Sequence, residues 1–280
     1  MTTFSATLEQ FRHSVAGPVN LVPLARPALL IARTEYAELD VDAYEERLHE
    51  LGAHLEARIH PAADLRSQLA EAHRLLFDEY GFRGNEDEYS DPRNLYLNEV
   101  IDRRGGIPVT LAIVYVEVCR AAGIDARAVG LPGHVIVRVE SPEGPVLVDP
   151  FHRGRELTDE ECRQLVRSVF GRRTPFREHF LEPVTSRQLI QRLLHNLKAG
   201  YLQQADEERA SRVIELLLAM FPWDLDEMRD RGMLRERIGD YKAALADLEQ
   251  YIQYRAGARD IQTVNDAVRS LRRQTGSPER

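Results

Sequence analysis

The stretch "RGGIPVTLAIVYVEVCRAAGI", Arg104 to Ile124, constrains this chain more than any other. Its apolar residues surround the axis instead of forming one stripe, so it reads as a helix buried on most sides and as the hub of a domain. It opens on Pro108, which suits a first helical position, behind two glycines, and it ends at Gly123. A helix N-terminus collects unpaired N–H groups and the positive end of the dipole, an arrangement suited to an anion or a thiolate.

After Gly123 the texture changes to β-branched runs, "ARAVGL" and "HVIVRVE", then the turn "SPEG" and the return "PVLVDP". This is an antiparallel hairpin following the central helix. A turn centred near Pro142 to Gly144 pairs residues whose numbers sum to roughly 285, which brings His134 close to Asp149, Pro150 and Phe151.

Upstream, Val41, Tyr44, Leu48, Leu51, Leu55 and Ile59 recur at steps of three and four, the mark of an amphipathic helix, with Asp42 and Glu45 as its expected cap. Pro61 separates it from a second helix that carries Leu65, Leu69, Ala72 and Leu76 on one face, and Gly81 stands at the C-terminal cap position. "FRGNEDEYSDPRN" is expected to be a surface loop, since its acids lack EF-hand spacing. "LYLNEVIDRR" is a short helix, and Thr158 with Glu161 starts another, which "GRRTP" breaks.

At "FLEPVTS" the composition becomes wholly helical, which places a boundary between domains at 1–183 and 184–280. Leu194, Tyr201, Ala210 and Pro222 align with Met228, Arg235, Ala244 and Ala256 at an offset of 34 residues, the length of a tetratricopeptide repeat. Two repeats and a closing helix near Ile261 to Leu271 are enough for a small superhelix. With 280 residues, 43% of them apolar, the chain has material for two cores.

Its 37 Lys and Arg stand against 45 Asp and Glu, a net charge of -8, so a nucleic-acid partner is not expected. No N-terminal segment reads as a leader or a membrane span, and the expected location is cytoplasmic. Cys119 and Cys162 are too few for a disulfide framework and are not spaced as a zinc pair.

A histidine at one strand's start, an aspartate at the next strand's end and a helix N-terminus nearby make the layout of a Cys-His-Asp thiol enzyme. The run "GIPVTLAIVYVEVCRAAGIDARAVGLPGHVIVRVE" with "VLVDP" is similar to the core of transglutaminase-like proteins. "PALLIARTEYAELDVDAY", "FDEYGFRGNEDEYSDPRNLYLNEVIDRRGGIPVTLAIVYVEV", "GLPGHVIVR" and "VDPF" resemble the SirB-type bacterial family, in which tetratricopeptide helices follow that core. The resemblance covers about residues 20 to 270. It implies an α+β fold: a transglutaminase-like, papain-like core with a central buried helix on a small antiparallel sheet, then an all-α segment.

Carried over by position, the resemblance makes His134 the catalytic histidine and Asp149 the aspartate, and it puts Pro108 where the cysteine belongs. Proline has neither a nucleophile nor an N–H. Cys119 lies eleven residues further on, about 16 Å along the axis at 1.5 Å per residue, too far to substitute. Thr110 points to another side of the helix, and a hydroxyl there is expected to bond a backbone carbonyl. Asn98, Glu99, Arg104, Thr110 and His152 are candidates to line the cleft, although Arg103, Arg104, Arg153 and Arg155 have many acids to pair with. His134, Asp149 and His152 also offer donors that suit zinc or iron, but spacing alone does not specify a metal, and no metal or cofactor is assigned.

Two functions follow as expectations. One is a non-catalytic interaction or scaffold protein that binds a protein or peptide through its repeats. The other is a hydrolase or transferase acting on a protein or peptide amide or ester through His134 and Asp149 without a cysteine.

Overall fold

A computed structural model describes residues 3–17, 23–60, 63–171 and 173–276. Pro61, and Arg172 within the "GRRTP" break, lie outside them. The chain forms two units, Met1–Leu193 and Leu194–Arg280.

In the first unit the helices are α1 (Thr3–Val15), α2 (Ala25–Arg33), α3 (Val41–Glu56), α4 (Leu65–His73), α5 (Leu97–Arg103), α6 (Pro108–Ala121) and α7 (Asp159–Phe170). The central helix is α6: every residue from Pro108 to Val116 is buried, as are Val118 and Cys119. Around it pack α3, the strands β3 (Ala126–Val129) and β4 (Ile136–Val139), and a 3-10 turn at Pro150–His152. A helix covered on so many sides cannot be amphipathic, which is why the sequence shows no polar face.

Beside α6 lies a four-stranded antiparallel sheet in the order β3, β4, β5 (Val146–Asp149), β6 (Arg155–Leu157). Strands β4 and β5 pair Val137 with Val148 and Arg138 with Leu147, the register with numbers summing to 285 that the turn composition predicts. The far edge of β3 is partly closed by the chain after α7, where Val184 N–H donates to Ala128 O at 2.9 Å. The capping box at α7 is formed as expected, with Thr158 and Glu161 bonding each other's backbone N–H.

Three local features differ from the sequence reading. The cap of α3 is Asp40, whose carboxylate accepts from Ala43 N–H at 3.1 Å, while Asp42 and Glu45 both bind Arg26. Helix α4 runs into a π-helical turn at Arg74–Glu79 before Gly81. The loop from Phe82 is tethered: β1 (Arg83–Gly84) pairs in parallel with β2 (Gly105–Gly106), and Asn94, fully buried, donates to Glu88 O at 2.6 Å and accepts from Asn85 at 3.0 Å.

The second unit contains α9 (Glu207–Met220), α10 (Leu225–Arg237), α11 (Tyr241–Tyr254) and α12 (Ile261–Thr275), and the division between the units falls within α8 (Ser186–Gln203). Both ends of α9 and α11 are 34 residues apart, and so are their N-caps, Asp206 and Asp240. Burial follows the repeat: Ala210 and Ala244 are both fully buried. Gly232 is required by close approach, since a Cβ there would stand 2.7 Å from the Leu248 side chain.

Candidate functional site

The site forms where β5 ends. Asp149 is at once the last residue of the strand and the cap of the following 3-10 turn, with Pro150 at the turn's first position. Its two oxygens divide the work. Oδ1 accepts from the backbone N–H of Phe151 at 3.1 Å and of His152 at 3.4 Å. Oδ2 meets His134 Nε2 at 2.8 Å and His152 Nδ1 at 2.7 Å.

His134 reaches this oxygen because the turn Leu131–His134 closes with His134 N–H donating to Leu131 O, and β4 then runs alongside β5 in its fixed register. His134 is buried, Asp149 is 1% exposed, and the His152 side chain is 43% exposed. One imidazole therefore faces the core and the other solvent, with ring centroids 5.9 Å apart. Burial works to raise the Asp149 carboxyl's pKa, but the hydrogen bonds and charges of His134 and His152 hold it below the usual carboxylate range. Phe151 stands edge-on to His134 and His152, with Tyr89 behind it at 6.0 Å. A surface pocket of about 270 Å³ contains Asp149 and His152 together with Arg155, Leu157, Glu161 and Gln164.

The glycines before α6 have a packing cause. A Cβ on Gly106 would stand 2.7 Å from Thr110 Oγ1, and one on its strand partner Gly84 would stand 2.6 Å from Phe151 O. The turn that carries Phe151 and His152 thus rests on the β1–β2 pair that leads into Pro108.

Pro108 is the first residue of α6 and is buried. Thr110 is fully buried, and its hydroxyl donates to Asn94 O at 2.8 Å while accepting from Ile107 N–H at 3.2 Å. Cys119 and Cys162 are fully buried, and burial pushes each thiol up to about 12. Asn98 is buried in α5, and its Oδ1 has no hydrogen-bond partner among the described residues; Glu99 is half-buried on the same helix.

Arg104 is not in the pocket that holds Asp149 and His152. It lies over the Tyr80 ring at 5.8 Å and lines a separate small pocket with Arg47 and Phe82. Arg103 faces Asp91, Arg153 binds Asp78 and Phe77 O, and Arg155 binds Glu161, so the arginines near the two motifs have local partners. Tyr89 escaped the sequence reading because its loop has no period to place it; only its aromatic character marked it.

A family profile described as the transglutaminase-like superfamily matches residues 42–195, more than half of the chain. The chain belongs to that superfamily. A tetratricopeptide-repeat profile matches residues 197–269. Among curated relatives, a UPF0162 protein of Xylella fastidiosa (strain Temecula1) is 35% identical over 87% of this chain and 88% of its own length. UPF0162 protein YchA of Escherichia coli K12 is 28% identical over 84% and 87%. F-box only protein 21 of Mus musculus is 31% identical over 57% of this chain and 26% of that protein. Among solved structures, a crystal structure of menin aligns with a TM-score of 0.43 at 14% identity, over 97% of this chain and 70% of that one. No helix among the described residues is long and apolar enough to cross a membrane.

Proposed function

We propose that the protein acts by binding a protein or peptide segment through its helical repeats, and that its transglutaminase-like domain is a non-catalytic module with Pro108 in the nucleophile position. The observation that carries this reading is chemical: the residue that opens α6 has no thiol, and the nearby Thr110 hydroxyl is committed to Asn94 O and the helix start. Acyl transfer by the thiol route needs a nucleophile beside a base. Both cysteines are buried elsewhere.

Support for the binding role comes from the second unit. A groove of about 1000 Å³ between α11 and α12 is lined by polar and apolar side chains that include Glu249, Gln253, Tyr254, Asn265 and Arg269. Tyr254 is 60% exposed, an amphipathic ring of the type enriched at binding hot spots.

A second reading is favoured by one distance, the 2.8 Å contact between His134 and Asp149. On that reading the pair serves a hydrolase or transferase acting on a protein or peptide amide or ester, with the imidazole as base and the aspartate fixing its orientation.

The test is capture of crosslinked partners by full-length protein in three forms: wild type, Tyr254→Ala with Arg269→Glu, and His134→Gln with Asp149→Asn. The binding reading expects the groove variant to lose partners that the His134/Asp149 variant keeps. Loss or trapping of a partner by the His134/Asp149 variant alone would reject it in favour of the second reading.

A further inference from the structure

We propose that His134, Asp149 and His152 form a binding site for one divalent first-row transition-metal ion of the zinc or iron(II) class. The donors are His134 Nε2, Asp149 Oδ2 and His152 Nδ1, which all lie within 4.8 Å of one another. Metal–nitrogen and metal–oxygen bonds of about 2.1 Å place neighbouring donors roughly 3.0–3.4 Å apart in octahedral or tetrahedral shells. The two separations from Oδ2, 2.8 and 2.7 Å, need to open by a few tenths of an ångström, and the two imidazole nitrogens, within 4.8 Å of each other, need to close toward the same range. The half-exposed His152 side chain has the freedom to supply that movement.

Donor chemistry narrows the class. Two imidazoles with one carboxylate suit zinc, iron and their neighbours, whereas magnesium and calcium prefer oxygen shells. Three protein ligands leave positions for water or a small ligand, as in open metal sites. Access is present: the pocket containing Asp149 and His152 opens to solvent, while His134 anchors the set from the buried side.

The arrangement is also oriented in advance. Asp149 Oδ1 is held by the backbone N–H groups of Phe151 and His152, which fixes the direction of Oδ2, and ligand carboxylates are commonly held by such outer hydrogen bonds. The one cation lining the pocket among the described residues, Arg155, is paired with Glu161. The proposal is independent of what the repeats bind.

The experiment uses full-length protein stripped by chelator and titrated with cobalt(II), followed by visible absorption, with zinc(II) as competitor in calorimetry. Wild type is expected to take one equivalent of cobalt(II), displaced by zinc(II), and magnesium(II) is expected not to compete. His152→Ala, a change at an exposed side chain, should weaken cobalt(II) binding at least tenfold, while His54→Ala, an exposed histidine outside the cluster, should leave it unchanged. Absence of stoichiometric binding by wild type, equal binding by His152→Ala, or equal competition by magnesium(II) would each overturn the proposal.

Discussion

Replacing Thr110 with valine separates the role of its hydroxyl from that of its volume. The two side chains have nearly the same shape, so no cavity opens, but Asn94 O and Ile107 N–H lose their partner inside the core. A buried polar group left unpaired costs about 1–3 kcal/mol, which gives roughly 2–6 kcal/mol for the pair. Serine keeps the hydroxyl and gives up one buried methyl, about 1 kcal/mol. For a unit of this size each kcal/mol shifts the melting temperature by about 2–4 °C, so valine should cost several times the shift of serine. Hydrogen exchange of the α6 amides from Val109 onward reads the first unit directly, and a loss of about 2 kcal/mol lowers their protection roughly thirtyfold. If Thr110→Val is as stable as wild type, or more stable than Thr110→Ser, the assignment of this hydroxyl to the helix start is wrong.

Two further outcomes are expected. Burial holds the His73 imidazole below its usual pKa, and its Nε2 lies 2.9 Å from the Tyr115 hydroxyl. The unfolded chain takes that proton near pH 6.5 while the folded chain resists it, so stability falls as pH drops below about 6.5. His73→Phe should flatten that fall, which urea midpoints at pH 7.5 and 5.5 will show; an unchanged slope would contradict it. In the repeats, buried Asp247 accepts from Arg231 and Arg235 at 2.8 to 2.9 Å. Asp247→Ala leaves the two partly buried guanidiniums with Glu215 as their shared carboxylate and removes three charge-assisted hydrogen bonds, so it should destabilise the helical unit by about 2 kcal/mol, measured by circular dichroism; a loss below about 0.5 kcal/mol, the range of ordinary surface changes, would refute it.

What was legible in the sequence had strong local patterning. The hairpin register followed from two β-branched runs around "SPEG", and it brought His134 to Asp149 without any long-range information. His152 entered the same cluster because it lies three residues beyond an aspartate that caps a turn. The 34-residue period showed in the repeats because each helix pair buries the same face, with Ala210 and Ala244 at equivalent positions.

The remainder was settled by contacts distant in sequence. Strands β1 and β2 have two residues each, three of the four being glycine, so no alternation announces them. Strand β6 is an edge with mostly exposed residues and lacks the apolar alternation that marks a half-buried strand. Arg104 stood beside the site in sequence, yet its left-handed backbone, φ 58°, belongs to the turn ending α5, and its side chain lies over Tyr80. Asp40 is the cap of α3 because the helix begins one residue later, at Val41; this puts Asp42 and Glu45 inside the helix, where both bind Arg26, a partner on another helix.

The hairpin carries a rule for insertions and deletions. Residues added at Ser141–Gly144 lengthen a connection without changing which residues of β4 and β5 face each other, so that turn is the place to seat a peptide tag or a fluorophore. One residue removed from Ile136–Val139 has the opposite effect, because strand side chains alternate: the slip turns core residues outward and rotates His134 away from Asp149. The fourteen residues between that histidine and aspartate are therefore a fixed number in the strands and a free one in the turn, and sequences of this type should be aligned by paired strands, not by residue count.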